Sequence, residues 1–320
     1  MRGTFLRRPA PKVNATLIDY IAHSCDRNRK TFAFFLRTAM LHAIRSGTFD
    51  KQSRSGMRHY TPYEIIEGNA QNGLVLLADH AMNRLPPEYG RLGLPESTFE
   101  RHIAYDIGIE PLTRQLSAAL DAPAVLGCFS RLLIDPNRGE DDPTLIMKIS
   151  DGAIIPGNYP ITAEEWQNRL NRFHRPYHQA VSQTIAEAAA KGGRAPLVIS
   201  LHSFTPAWKR VARPWHAAVL WDNDPRAVFP LIERLEAAGD IIVGNNEPYD
   251  GALRGDTMYR HCMTPGIAHA LIEVRQDLIA DEAGVAAWAK RLAPILAELN
   301  ALPELHTYRR HPSRTGAYEG

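Results

Sequence analysis

Three short apolar stretches of the sequence run directly into side chains that can bind a metal ion or move a proton. These junctions are Leu74–Ala78 into Asp79-His80, Pro196–Leu201 into His202, and Ile267–Ile272 into Glu273. A run of consecutive aliphatic residues is typical of a strand buried on both faces, and an open α/β sheet carries its chemistry at the carboxyl ends of such strands. The pattern therefore indicates a single active site that contains all three polar groups.

Zinc hydrolases bind their metal with two or three histidines and a carboxylate, and they leave one position for water. A lone histidine at a strand end is more often structural, so the prediction of a Zn²⁺ site depends on finding His80 and His202 at equivalent strand ends. In this arrangement we expect Glu273 to be the catalytic base, because a carboxylate near the metal can take the proton from water.

The elements that must position these groups follow from periodicity and from Gly and Pro residues. Besides the three buried strands, we expect strands near 60–67, 122–126, 130–134, 217–221 and 241–243, and a loop rich in Gly and Pro over 139–161. The predicted helices span about 99–120, 162–190 with a kink at Pro176, 227–238 and 284–299. Strands that alternate with helices predict an α/β fold.

Composition excludes several classes of protein. The 320 residues are 44% hydrophobic and 22% charged, as in an ordinary globular protein, and no apolar run is long enough to span a membrane. Cys25, Cys128 and Cys262 are odd in number and widely spaced, which argues against a disulfide framework and favours a reducing compartment, the cytoplasm.

Charge divides the chain into parts. Residues 1–56 contain eleven Lys and Arg and three Asp, a net charge of +8. Because the whole sequence has a net charge of +2, residues 57–320 have a net charge of −6. We expect residues 1–56 to be a basic, weakly ordered extension, residues 57–301 to form the catalytic domain, and residues 302–320 to be a polar tail. An acidic domain without a basic groove does not suggest a nucleic-acid partner.

An ordered set of short motifs between about Tyr60 and Leu299 resembles the N-formylglutamate amidohydrolase family. The motifs are Ala78-Asp79-His80-Ala81-Met82-Asn83-Arg84-Leu85-Pro86, Tyr105-Asp106-Ile107-Gly108, Ser130 to Arg138, Leu201-His202-Ser203-Phe204, Asn246-Glu247-Pro248-Tyr249 and Ile272-Glu273-Val274-Arg275. The resemblance implies a three-layer α/β/α sandwich around a mixed, mostly parallel sheet, of the phosphorylase/hydrolase-like type. It also implies a zinc-activated water that attacks the amide of a small acidic N-formyl or N-acyl amino acid.

The chain departs from related zinc hydrolases at the third metal ligand. Zinc carboxypeptidases and aspartoacylases use a Glu three residues after the first His, but Asn83 occupies that position here, and an amide is a poorer zinc ligand than a carboxylate. The family also usually shows Pro-His-Ser-Gly where this chain has Asp79-His80-Ala81-Met82. We therefore prefer Asp106 as the third ligand and keep Asn83 as a weaker candidate; Asp106 on a helix surface is the alternative.

The resemblance also suggests substrate-binding residues. Asn137-Arg138 is similar to the Asn-Arg pair with which zinc carboxypeptidases hold the substrate carboxylate, and a guanidinium can bind a carboxylate through two hydrogen bonds. The alternative for Arg138 is a surface ion pair with Glu140 or Asp141. Arg131 is a catalytic candidate that either polarises the scissile carbonyl or buttresses Asp135.

Two further residues complete the predicted substrate site. Arg275 lies two residues after Glu273, so in a strand the two side chains lie on the same face and Arg275 either positions Glu273 or binds substrate. Tyr249, in a polar loop, is expected to close over the ligand. His174 and His178 have the spacing of a helical metal chelate, but Pro176 between them favours an ordinary helix face.

Two other functions remain open from the sequence. One is a zinc carboxypeptidase or peptidoglycan amidase, which the absence of a signal peptide disfavours. The other is a metal-free relative that binds an acidic metabolite through Arg138 and Arg275 without hydrolysing it, and the substitutions at Asp79 and Asn83 keep this reading open. The sequence does not define the oligomeric state.

Overall fold

The structure, a computed structural model, describes residues 60–316. The predictions for residues 1–56 and for the last four residues of the tail therefore lie outside the described part of the chain. Within it, a seven-stranded sheet has the order β1-β3-β2-β6-β11-β9-β10. Its strands are β1 (Tyr63–Ile66), β2 (Leu74–Ala78), β3 (Ala124–Gly127), β6 (Leu197–Phe204), β9 (Ala217–Leu220), β10 (Val243–Asn245) and β11 (His269–Arg275); β4 (Ile149–Ser150) with β5 (Ala153–Ile154), and β7 (Ala207–Trp208) with β8 (Val211–Ala212), form two small hairpins.

The sheet is mixed and mostly parallel, as predicted. Strands β3, β2, β6 and β11 are mutually parallel, β1 pairs antiparallel with β3, and β9 pairs antiparallel with β11. The four central strands consequently present their carboxyl ends at one edge, which is where an open α/β sheet places its ligands.

Helices cover both faces of the sheet. They are α1 (Ile109–Leu120), α2 (Ala163–Arg169), α3 (Arg175–Gly192), α4 (Val228–Glu236) and α5 (Glu282–Asn300). Alternate residues of β2 belong to two separate cores: Leu74 and Leu76 pack with α1, α4 and α5, whereas Val75 and Leu77 pack with α3. This alternation in a strand buried throughout confirms the three-layer α/β/α sandwich.

Two predicted elements are wrong. The helix expected from residue 99 begins only at Ile109, because Glu96–Glu100 is a 3₁₀ helix and an irregular segment containing Asp106 follows it. Residues 130–134 form no strand: Leu133 N donates to Ser130 O in a turn, and Arg131 N donates to the distant Ala104 O. Leu132, Leu133 and Ile134 are buried in the same core as Val75 and Leu77, so burial without a strand ladder explains the pattern.

The helix predicted over 162–190 contains a π-helical turn. This turn, Leu170–His174, lies between α2 and α3, and Pro176 is the second residue of α3. A second π-helical turn is Tyr259–Met263. The C-terminal segment is docked rather than simply polar, since the 3₁₀ helix Pro303–His306 buries Leu305. None of the helices in residues 60–316 has the length and apolar character that crossing a bilayer requires.

Candidate active site

Three adjacent parallel strands bring the predicted site together. Asp79 and His80 directly follow β2, His202 lies in β6 next to it, and Glu273 lies in β11 in register with His202. All four side chains are buried. The carboxyl ends of these strands therefore form the floor of the candidate site.

His80, Asp106 and His202 form a group that could hold a metal ion, with one ligand atom from each lying within 4.8 Å of the others. Asp106 Oδ2 lies 2.9 Å from His202 Nδ1 and 3.5 Å from His80 Nδ1. The backbone fixes this approach, because Asp106 N donates to His80 O. The preferred third ligand, Asp106, thus joins the two histidines. The weaker candidate, Asn83, turns elsewhere: its Nδ2 donates to Phe99 O at 2.6 Å.

Two further carboxylates orient the histidines from behind. His80 Nε2 donates to Asp135 Oδ1 at 2.6 Å, and His202 Nε2 donates to Asp79 Oδ2 at 3.0 Å. Because the Nε2 atoms carry these hydrogen bonds, both Nδ1 atoms face Asp106, and His202 Nδ1 hydrogen-bonds Asp106 Oδ2 at 2.9 Å. Burial alone would lower the pKa of His202, but Asp106 and Asp79 outweigh it and raise the pKa well above its usual value. A carboxylate behind a histidine is the usual support of a metal-binding imidazole, since it fixes the tautomer and increases ligand basicity.

The environment of these donors fits a divalent metal ion. Within residues 60–316 no group hydrogen-bonds the buried His80 Nδ1, which is costly for a polar atom unless a ligand satisfies it. Burial alone would raise the pKa of Asp106, but His80 and His202 outweigh it and lower the pKa. An ionised carboxylate and two imidazole nitrogens form a ligand set that zinc accepts.

Glu273 and Arg131 lie beside this group. Glu273 is 8% exposed, and no group in the described part of the chain hydrogen-bonds its Oε2. Burial raises the pKa of Glu273 to about 7, although His202 and Arg131 favour the ionised form. Arg131 binds Asp135 Oδ2 at 2.7 Å through Nη2, and its Nη1 lies 3.6 Å from Asp106 Oδ1. Arg131 therefore buttresses Asp135, one of the two roles considered for it.

The Asn137-Arg138 corner follows Asp135 directly. Asn137 N donates to Asp135 Oδ1, and Asn137 Oδ1 accepts from Thr257 N at 3.1 Å. Arg138 donates to Asn137 O and to Thr144 Oγ1. The surface ion pair considered for Arg138 is not formed with Glu140, which binds Arg175 instead.

Tyr249 and Arg275 both contact Arg213. Burial raises the pKa of Tyr249, and the guanidinium of Arg213 lies 4.9 Å from the ring centroid of Tyr249. Arg275 donates to Asp277 and to the backbone carbonyls of residues 213 and 215, so its guanidinium already has hydrogen-bond partners.

Sequence reasoning missed the supporting residues of this site. The pattern of strand ends and the motif assign no supporting role to Asp79, yet its carboxylate accepts from Tyr177 Oη and Thr257 Oγ1 as well as from His202. Arg213 was not singled out; it is buried, and its guanidinium lies 4.9 Å from the ring centroid of Tyr249. The position of Asp79 between a buried strand and His80 is a signal that could have identified its role.

Fold and site together define a hydrolase-type α/β/α protein with a candidate His-Asp-His metal centre at the strand ends. The family model of N-formylglutamate amidohydrolase matches residues 72–280, well over half of the chain, so the protein belongs to this family. The match includes the two histidines, Asp106 and Glu273.

Solved structures agree with this assignment. A gene product from Agrobacterium tumefaciens is 31% identical, with a TM-score of 0.72 over 77% of this chain and 100% of its own. N-formylglutamate amidohydrolase from Ralstonia eutropha JMP134 is 22% identical, with a TM-score of 0.55 over 75% of this chain and 97% of its own, and this likeness concerns the fold. Comparison with curated protein sequences gives no match.

Proposed function

We propose that this protein is a zinc-dependent amidohydrolase that removes a formyl or another small acyl group from the nitrogen of an acidic amino acid. The observation that carries the proposal is the orientation of two buried histidines by Asp135 and Asp79, which leaves both Nδ1 atoms facing Asp106. Family membership supports hydrolysis of a C–N bond.

His80, Asp106 and His202 are the residues that would hold the metal. When bound, zinc supplies a Lewis acid that activates a water molecule for attack on the amide carbonyl. Asp135 and Asp79 keep the two imidazoles in the tautomer that this binding requires. Loss of either histidine would remove a ligand that no neighbouring side chain replaces.

Glu273 is the proposed general base. Glu273 lies in a strand in register with His202, and among residues 60–316 no hydrogen bond competes for its Oε2. Accepting a proton from water and returning it to the leaving amine requires the ionised form, which the positive charge of Arg131 favours. Tyr249, whose ring contacts Arg213, is the residue proposed to cover the substrate.

Arg138 is the proposed binding group for the substrate carboxylate, with Asn137 beside it. A forked guanidinium holds a carboxylate in a fixed orientation, and orientation is what a small substrate otherwise lacks. The relative from Ralstonia eutropha carries N-formylglutamate in its name, which supports an acidic N-formyl amino acid as the first substrate to test.

The test combines metal analysis with hydrolysis of N-formyl-L-glutamate. Protein purified without chelator is expected to contain about one zinc per chain and to release formate, and N-formyl-L-leucine should be a poorer substrate. His202→Ala should lose zinc and activity, whereas His216→Ala, which removes a histidine whose Nδ1 accepts from Ile242 N, should retain both. Zinc-free protein that binds N-formyl-L-glutamate without turnover would instead establish the metabolite-binding alternative.

A further inference from the structure

Three histidines outside the candidate metal group form a connected chain. His261 Nε2 lies 2.9 Å from His178 Nδ1, and the two rings are stacked with centroids 5.1 Å apart. The rings of His178 and His174 are in edge contact, with centroids 4.4 Å apart. His174 and His178 are both buried.

This chain of three imidazoles ends at the backbone of the Asn137-Arg138 corner. His178 Nε2 lies 2.9 Å from Pro136 O, and His174 Nε2 lies 2.9 Å from Arg138 O. The two Nε2 atoms also lie 3.2 Å from each other. A carbonyl only accepts, so we assign both Nε2 atoms as donors to the carbonyls, which make the shorter contacts. In neutral rings His178 Nδ1 is then an acceptor, and His261 Nε2 donates to it. This assignment gives one tautomer for each of the three rings.

This set of tautomers requires neutral rings, and the surroundings favour them. Burial lowers the pKa of His174, and it lowers that of His178 well below its usual value. The pKa of His261 falls to about 4, again through burial and with help from Arg260. Glu140 and Asp135 oppose this for His174, but less strongly than burial favours it.

The local helix geometry that places these rings is unusual. His174 ends the π-helical turn Leu170–His174, and His261 lies within the π-helical turn Tyr259–Met263. A π-helical turn redirects side chains relative to an α-helix, and such turns are frequent at functional sites. Both π-helical turns in residues 60–316 therefore contribute to the same chain of imidazoles.

We propose that His174, His178 and His261 are positioning residues that hold the carbonyls of Pro136 and Arg138 and thereby set the geometry of the substrate-binding corner. The carbonyls of residues 136 and 138 lie on either side of Asn137 in the backbone. Holding them therefore also fixes the backbone from which the Arg138 side chain extends. The inference rests on the proposed function, because it gives these histidines the role of positioning Arg138, the proposed substrate-binding residue. It gives them no role in holding the metal.

Steady-state kinetics with N-formyl-L-glutamate test the role. His174→Leu and His178→Leu remove the donors, and each should raise KM roughly tenfold with one zinc per chain retained and kcat within a few-fold of wild type. The Gln variants at both positions place an amide N–H near Nε2, so they should recover most of the wild-type KM. His306→Leu is the matched control, because His306 is also buried on backbone carbonyls, those of residues 195 and 300. It should lower Tm without changing KM.

Nitrogen NMR of the wild-type imidazoles gives a second readout that needs no turnover. We expect His174, His178 and His261 to be neutral Nε2–H tautomers at pH 7. A charged ring or an Nδ1–H tautomer at position 174 or 178 would overturn the inference, as would an unchanged KM in folded Leu variants. If the wild-type protein does not hydrolyse N-formyl-L-glutamate, only the proposed function is refuted. The tautomers measured by NMR still test the hydrogen bonds among the three histidines in that case.

Discussion

At the scale of single residues, the site shows how position assigns different tasks to the same side chain. Asp79, Asp106 and Asp135 are all buried aspartates next to histidines. Only Asp106 meets two Nδ1 atoms, whereas Asp79 and Asp135 accept from Nε2. Burial by itself raises the pKa of Asp135, but Arg131 and His80 outweigh it and lower the pKa well below its usual value. Asp135 therefore stays ionised and orients His80.

Glu273→Gln tests the general base. The amide keeps the size of the side chain but cannot take a proton, so we expect kcat to fall by roughly a hundredfold or more while zinc and substrate still bind. Zinc content, KM and kcat are measured on the same preparation. Turnover at the wild-type rate would exclude Glu273 as the base, and loss of zinc would make it a ligand.

Arg138→Ala separates the substrate-binding arginine from its neighbours. Removing a charge-assisted, two-point contact should raise KM by about two orders of magnitude, a few kcal/mol, with unchanged zinc content. Arg275→Ala is the comparison, because Arg275 is already occupied by Asp277 and two carbonyls. It is expected to leave KM close to wild type. Equal effects of the two substitutions would contradict the distinction.

At the scale of elements, the late start of α1 places the third metal-ligand candidate. Gly108, the N-cap of α1, has φ of 82°, and a Cβ there would lie 2.2 Å from Ile279 O. The chain can therefore pass close under the Ile279 backbone and turn into the helix two residues after Asp106. A continuous helix from residue 99 would not allow the hydrogen bond between Asp106 N and His80 O.

Gly108→Ala is expected to destabilise the protein by roughly 2 to 4 kcal/mol, because it adds a backbone clash to an unfavourable φ. Gly193→Ala is the matched control: its φ is also positive, at 65°, but no atom lies within 4 Å of the added Cβ. It should cost only about 1 kcal/mol. Urea unfolding monitored by circular dichroism provides both values, and similar losses would mean that the close approach at Ile279 is unimportant.

At the scale of the whole molecule, the sheet order makes β2, β6 and β11 neighbours although they are far apart in the chain. Their buried ends lie against the segment that contains Asp256 and Thr257, and Thr257 Oγ1 donates to Asp79. Asp256 is 4% exposed, and burial raises its pKa from 3.8 to about 7. The protonation state of the buried Asp256 therefore affects the stability of the folded domain.

This raised pKa makes a signed prediction for stability. Between about pH 4 and pH 7 the folded protein keeps a proton on Asp256 that the unfolded chain releases, so this group's contribution to stability falls as pH rises and is constant above about pH 7. Asp256→Asn removes that dependence and retains an acceptor for Tyr259 N. The stability gained over wild type should grow by roughly 2 kcal/mol between pH 5 and pH 8.

Chemical denaturation at both pH values measures this difference. Asp240→Asn is the control, because Arg291 lowers the pKa of the exposed Asp240 and the raised-pKa argument does not apply to it. It should show no gain at pH 8. A pH-independent difference between Asp256→Asn and wild type would mean that Asp256 is already ionised when the protein is folded at neutral pH.

The sequence by itself determined the central strands, the α/β class and the two histidines, because consecutive buried residues and the polar groups after them are local patterns. It also indicated Asp106 and Glu273, whose carboxylates could bind a metal ion or accept a proton. Local pattern failed where burial has no period: Leu132, Leu133 and Ile134 are apolar and buried without forming a strand. Local pattern also did not predict the helix start at Ile109 or the π-helical turns.

Only the tertiary structure decided which partners these residues have. The pairs His80–Asp135 and His202–Asp79 join positions 55 and 123 residues apart, and no spacing rule connects them. The same holds for His261, which contacts His178 although the two are 83 residues apart. It also holds for Arg275: the sequence placed it on a strand but could not show the backbone carbonyls that it hydrogen-bonds. Side-chain hydrogen bonds depend on how distant segments pack, and that information belongs to the fold as a whole.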